Sequence, residues 1–248
     1  MSGHNKWSTI KRKKGAIDAK RSKAFSRIIK EMTVAVKEGG PDPDSNPRLR
    51  LAISNAKGVN MPKENITRAI SKAADKDSAA LMEVTYEGYA PGGVAFFIEA
   101  TTDNIQRTVS NVRSVFNKYN GNLGTNGSLS FIFDRKGVFT IPQGNLVEDD
   151  FIMEIIDAGA EDVVLEDGFF TITTAMEDFG SMMKKLEQMK IEPESAELQR
   201  IPKTYTKLDK ESSQKILRIV EIFEDDDDVT NVFHNLELTD ELMQEMDS

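Results

Sequence analysis

Basic side chains crowd the start of the chain. Lys6, Lys11, Arg12, Lys13, Lys14, Lys20, Arg21, Lys23, Arg27 and Lys30 stand against one acid, Asp18, within residues 1–30. Clustered ammonium and guanidinium groups suit one chemistry well. They neutralise phosphates and release the counterions condensed there, so the binding is salt-dependent. If about six phosphates are contacted, affinity should fall roughly a thousandfold between ~50 and ~200 mM salt. Trp7, the only tryptophan, sits inside this stretch. Its ring suits stacking on a base, and equally suits anchoring on a folded body.

Other chemistries find no constellation. His4 and His234 are the only histidines, and neither has a sequence partner suggesting a triad or a zinc site. Cysteine is absent, which removes disulfides, thiolate metal sites and a thiol nucleophile. The GNLGTNG run places glycines at 121, 124 and 127. It follows a helical pattern and precedes a strand, the reverse of a phosphate-binding turn, so it reads as helix termination plus a tight turn. Asp225–Asp228 lacks the alternating ligands and glycine of a calcium loop and reads as solvated. The expectation is a non-enzymatic protein with no cofactor and no metal.

The net charge of -9 argues against a polyanion partner until it is divided by segment. Residues 1–72 hold 17 Lys/Arg and 6 Asp/Glu, a net of +11; the remaining residues hold 15 and 35, a net of -20. A basic segment joined to an acidic body predicts a nucleic-acid partner. The opening lacks a signal-like apolar stretch, and the longest wholly apolar run, Val94–Ile98, is too short to cross a bilayer. A cytoplasmic location without a membrane partner is expected. Oligomeric state is not legible.

The elements that would position the cations follow from periodicity. Residues 1–23 carry too few apolar side chains to offset ordering entropy and read as a mobile arm. Phe25, Ile28, Ile29, Met32 and Val36 then mark one helix face, ended by Gly39–Gly40. Asn46-Pro47 caps a second helix, with Leu49, Ala52, Ile53 and Ala56 inward and Gly58 closing it. Pro62 opens a third, with Ile66, Ala69, Ile70 and Ala73 inward. Three such helices can share a core and leave Arg27, Lys30, Arg48, Arg50, Lys57, Lys63, Arg68 and Lys72 outside.

Beyond Asp75 the period changes. Met82, Val84 and Tyr86 alternate as a strand, and Val94–Ala100 returns as a more buried one. Ile105, Val109, Val112, Phe116 and Tyr119 mark a helix, and Leu129, Phe131 and Phe133 alternate after the glycine run. Residues 135–203 then read as strand, helix, strand, strand, helix, strand, a ferredoxin-like order. Its helices are lined by Phe151, Ile152, Ile155 and Ile156, and by Met176, Phe179, Met183, Leu186 and Met189. Its hairpin turns at Asp167-Gly168. A last helix (209–223) and strand (229–238) complete the preceding sandwich. The expected fold is α+β: a basic arm plus three-helix domain over 1–76, a discontinuous α/β domain over 77–134 and 204–240, and a ferredoxin-like domain over 135–203 inserted into it.

Four long blocks carry a resemblance: GHNKWSTIKRKKGAIDAKRSKAFSR, SNPRLRLAISNAKGVNMPKENITRAI, YEGYAPGGVAFFIEATTDN and GNLGTNGSLSFIFDRKG. They resemble the YebC/PmpR family. That likeness implies three domains and a DNA-binding transcriptional regulator. It also implies an alternative, because a mitochondrial relative looks like a translational activator for a cytochrome oxidase subunit. Bacterial relatives are linked to ribosomes stalled on proline-rich stretches, which would make ribosomal RNA the partner. Either role would use Lys6, Trp7, Lys11, Arg12, Lys13, Lys14, Lys20, Arg21, Lys23 and Arg27.

Overall fold

The computed structural model describes residues 18–75, 80–239 and 242, with side chains from Ser22 onward. The fold is α+β, with seven α-helices among the described residues and two four-stranded sheets. The chain divides into two compact units, one built from Ala24–Ser78 and Arg135–Gln199 and the other from the remainder.

In the first unit, α1 (Asp18–Gly39, which belongs to this unit from Ala24 onward), α2 (Pro47–Gly58) and α3 (Lys63–Ala74) enclose a core. Met32, Leu49, Ala52 and Ala56 are sealed from solvent, with Ile28, Val36, Ile66, Ala69 and Ala73 packed around them. Each large apolar side chain buried this way contributes about 1.5–3 kcal/mol. The helix begins earlier than the sequence suggested. Residues 18–23, expected to belong to the arm, are helical. Ala19, Lys20, Arg21 and Lys23 are all good helix formers and extend the first turn of a helix that packing has already nucleated.

Asn46 explains the corner between α1 and α2. Its Oδ1 accepts from the Leu49 amide at 3.0 Å, capping α2, while Nδ2 donates to the carbonyls of Ala35 and Gly40 at 2.7 and 2.8 Å. A Cβ on Gly39 would strike the Asn46 side chain at 2.7 Å, so the glycine makes room for the cap.

The same unit contains the sheet β5–β6–β4–β7, formed by β4 (Phe133–Pro142), β5 (Ala160–Glu166), β6 (Phe169–Ala175) and β7 (Ser195–Pro202). The first strand of this set lies between the third and fourth, the ferredoxin-like order. Two helices, α5 (Glu148–Ile156) and α6 (Phe179–Gln188), pack on Phe139, Ile141, Phe170 and Ile172. Asp167 and Gly168 both adopt positive φ, 51° and 77°, as a two-residue hairpin requires. Two assignments shift. Ile156 is exposed while Phe151 and Ile155 face inward, and Met176 is exposed before α6 while Met182 is sealed in the core. A short helix can turn only one face inward, and Ile156 falls off that face, while Met176 precedes the helix altogether.

A polar lock joins the three helices to this sheet. Asn55, buried on α2, donates to the Ala196 carbonyl at 3.1 Å and accepts its amide at 2.9 Å. Leu51 packs into the sheet's core. A Cβ on Gly58 would fall 1.8 Å from the Glu194 carbonyl oxygen, so no other residue allows this approach without a shift.

The second unit holds the sheet β3–β1–β2–β8, formed by β1 (Met82–Ala90), β2 (Val94–Thr102), β3 (Asn122–Leu123) and β8 (Val229–His234). One face of β2 (Val94, Phe96, Ile98, Ala100) packs on α4 (Ile105–Lys118) and α7 (Lys210–Asp225). Phe96, Phe116 and Phe223 cluster there, with Phe96 edge-on to Phe116 at 6.2 Å. The other face of β2 places Ala95 and Phe97 under Leu129, Ile132 and Phe133. Burial on both faces accounts for the continuous apolar run in β2. The final strand ends at His234, short of the expected 238; beyond it only an isolated bridge joins Thr206 to Leu236.

Two corrections arise in this unit. Leu129, Phe131 and Phe133 do not alternate along a strand. Residues 127–132 form turns, because the buried Glu87 carboxylate accepts the amides of Gly127 and Leu129 at 2.7 and 2.6 Å and takes donors a ladder would need. Nor is the acidic run wholly solvated. Asp225 ends α7, and Asp228 is buried against Arg107 and Thr108.

Burial lowers the pKa of His234 from 6.5 to about 4. The folded protein therefore holds a neutral imidazole that the unfolded chain protonates below pH 6.5. This contribution to stability is complete above that pH and is lost as pH falls toward 4, amounting to about 2 kcal/mol between pH ~7.5 and ~5. Denaturant midpoints across that window should fall more steeply for the natural protein than for His234→Phe. Equal slopes would remove the histidine from the pH response.

Candidate nucleic-acid interface

The predicted contact residues divide into three groups. Lys6, Trp7, Lys11, Arg12, Lys13 and Lys14 lie outside the described residues, and Lys20 and Arg21 are placed only as backbone in the first turns of α1. Residues 1–21 carry seven Lys/Arg and one acid. Residues 22–75, the folded helices, carry ten and six. Most of the basic excess therefore precedes the folded core.

The second group is engaged within the protein. Arg48 pairs with Glu38 at 2.8 Å. The Arg50 guanidinium donates to the carbonyls of Pro43 and Asp44 at 3.1 and 3.3 Å. Lys57 stands 3.5 Å from Glu192, and Lys23 pairs with Asp225. Arg27 is half-buried on α1. Exposed pairs of this kind contribute about 0–1 kcal/mol, so a phosphate can displace the carboxylate at small cost. Arg50 and Lys57, seven residues apart on α2, share one face of that helix and are exposed.

The third group is α3, where Lys63, Arg68 and Lys72 are exposed without an ion-pair partner among the described residues. Arg68 and Lys72, four apart, lie on one face, with Thr67 and Ser71 exposed beside them. A shallow cleft of about 400 Å³ opens between α2 and the Glu192–Glu194 segment, lined by Ser54, Lys57, Asn60 and Pro142. Glu192 and Glu194 line it too, so it does not favour an anion. Among the described residues no group of three or more His, Asp or Glu could hold a metal ion. No described helix is long and apolar enough to cross a membrane.

Three residues escaped the sequence reading. Phe131 is 68% exposed in the turns that follow the glycine run. Arg200 lies 3.7 Å over the Phe97 ring and bonds Glu99 at 3.3 Å, and the Lys203 amide donates to the Ile132 carbonyl at 2.8 Å. The signal for Phe131 was present in Gly124, Gly127, Ser128 and Ser130, turn formers that interrupt a strand.

Comparison with known proteins agrees with this architecture. The family model described as TACO1/YebC protein N-terminal domain matches residues 5–76, and that described as TACO1/YebC second and third domain matches residues 81–236. A protein of Amoebophilus asiaticus named "Probable transcriptional regulatory protein" is 50% identical over 239 residues, covering 95% of this chain and 98% of its own. One of the same name from Geotalea uraniireducens is 50% identical over 248 residues, covering 99% and 100%. The crystal structure of a conserved hypothetical protein from Aquifex aeolicus superposes with a TM-score of 0.80 at 43% identity, covering 90% of this chain and 93% of that one. With both family models matching and near-complete relatives at half identity, the chain belongs to the TACO1/YebC family.

Proposed function

We propose that this chain is a non-enzymatic regulator of gene expression that grips a nucleic-acid backbone with its basic N-terminal segment. The observation that carries the reading is the segregation of charge, +11 over residues 1–72 against -20 over the rest. Phosphate neutralisation by such a segment supplies affinity, while the net negative charge of the remaining residues disfavours non-specific phosphate contact there. DNA is the first assignment, in keeping with relatives named for transcriptional regulation. The exposed surface of α3, bearing Lys63, Arg68 and Lys72, supports backbone contact on a duplex.

A second reading is a translation factor bound to ribosomal RNA. The observation favouring it is the outward aromatic at Phe131, because folded RNA presents unstacked bases that such rings accept. Crosslinking in living cells, followed by sequencing of the attached nucleic acid, separates the two. Promoter DNA without ribosomal RNA is the expected result for the transcriptional role; ribosomal RNA without promoter DNA would overturn it in favour of the second. Recovery of neither would end both.

A further inference from the structure

Phe131 is anomalous among its neighbours. Leu129, Ile132 and Phe133 all bury their side chains with Ala95 and Phe97, yet Phe131 stays 68% exposed. A ring left in water forgoes hydrophobic burial that its neighbours obtain. Its position is held from below. Gly127 adopts a φ of 88°, the Ser130 amide donates to the Gly127 carbonyl at 3.3 Å, and the Ile132 amide donates to Leu129 at 2.9 Å. The Glu87 carboxylate, 4% exposed, braces the loop by accepting from Gly127, Leu129 and the Ser128 hydroxyl. A buried carboxylate is tolerated only when so bonded, and the bonds fix the loop. Lys203 adjoins it through its backbone, its amide on the Ile132 carbonyl, and its half-exposed side chain pairs with Asp134 at 3.1 Å.

We propose that Phe131 is a stacking platform for an unpaired nucleobase, with Lys203 supplying charge to the adjoining phosphate. An outward aromatic face on a pre-ordered loop is what single strands stack on, and little ordering entropy remains to oppose the contact; a phosphate would take the Lys203 ammonium from its exposed pair with Asp134 at small cost. The inference rests on the nucleic-acid reading and adds to it a second contact point, selective for single strands. It does not depend on which nucleic acid the basic segment prefers. The acidic surface of α5, which also exposes Val147, Met153 and Ile156 near Glu148, Asp149 and Asp150, repels phosphate and is not part of it.

The test uses the full chain and three probes of roughly 20 nucleotides: oligouridine, oligothymidine and a DNA duplex. Phe131→Ala should weaken both single strands about tenfold and leave the duplex and the salt slope unchanged. Phe131→Leu, which keeps apolar bulk without a π-face, should behave like alanine. Phe131→Trp should keep the single-strand affinity of the natural chain, and its fluorescence should be quenched by the single strands beyond the quenching that Trp7 alone gives in the natural chain. Loss on oligouridine alone would assign the base to RNA, and equal loss on both strands to either source. Unchanged single-strand affinity in Phe131→Ala would overturn the platform while the basic segment's binding stood. Equal loss on single strands and duplex would overturn it too, as a general defect. Failure of the natural chain to bind any probe would sink both this inference and the reading beneath it.

Discussion

Replacing Lys11, Arg12, Lys13 and Lys14 by alanine together with Lys20, Arg21 and Lys23 is expected to weaken nucleic-acid binding by about three orders of magnitude near physiological salt. If about six of these seven cations each neutralise a phosphate, the slope of log affinity against log salt should become shallower by roughly five. The loss should be uniform across sequences, because phosphate contacts position the protein without reading bases. Removing Lys63 and Arg68 instead takes away two contacts at most, so the loss should be about tenfold and the slope should change by ~2. Stability should not follow affinity: the apolar cores of the described residues draw on nothing before Phe25. The measurement is a binding titration at several salt concentrations with the thermal midpoint recorded alongside. An unchanged slope would remove the N-terminal segment from the interface.

What the sequence made legible was whatever periodicity controls. The three helix faces meet where Leu49, Ala52, Ile66 and Ala69 placed them, and Asn46-Pro47 begins α2. The ferredoxin-like strand order follows from six elements, strand, helix, strand, strand, helix, strand, and one Asp-Gly turn. What escaped was set by partners distant in the chain. Nothing local distinguishes Glu87 from other strand glutamates, yet forty residues on it captures the amides that bend Gly127–Leu129 away from a strand. Asn55 reads as a helix residue of indifferent propensity; its meaning lies in Ala196, 141 positions later. Gly58 reads as a helix stop, but the carbonyl of Glu194 is what forbids a side chain there. The candidate cations were legible as charge and illegible as partners. Glu38 engaging Arg48, or Glu192 approaching Lys57, depends on packing that periodicity does not encode.

Asp228 is the sharpest such case, and its replacement should have the largest effect on stability. In sequence it is the last of five consecutive acids, Glu224–Asp228; in the fold it is 6% exposed, just before β8. Its Oδ2 accepts from Arg107 Nη2 at 2.7 Å, from Arg107 Nε at 3.1 Å and from the Thr108 hydroxyl at 2.9 Å. The Thr108 hydroxyl also lies 2.9 Å from that of Thr102, and Asp103 shares the guanidinium. Hydrogen bonding to Asp228, and then to Asp103, raises the Arg107 pKa. Tyr86 responds nearby: its hydroxyl is pushed up first by burial, then by the negative charge of Asp228 and Asp226. Asp228 thus ties the N-terminus of α4 to β8 across the end of the sheet. Asp228→Ala strips the buried Thr108 hydroxyl of one partner and leaves a void where the carboxylate stood, a cost of about 3 kcal/mol. For a chain of this size that lowers the thermal midpoint by roughly 6–12 °C. Asp228→Asn keeps the shape and an acceptor oxygen and should cost less. Arg107→Ala should also cost less, because its side chain is 47% exposed and water replaces part of what it loses. Thermal melts at neutral pH read the order, with Asp228→Ala worst and Asp228→Asn and Arg107→Ala milder. Were Arg107→Ala as damaging as Asp228→Ala, the ion pair itself would be the source of stability; the geometry instead assigns it to the buried acceptor.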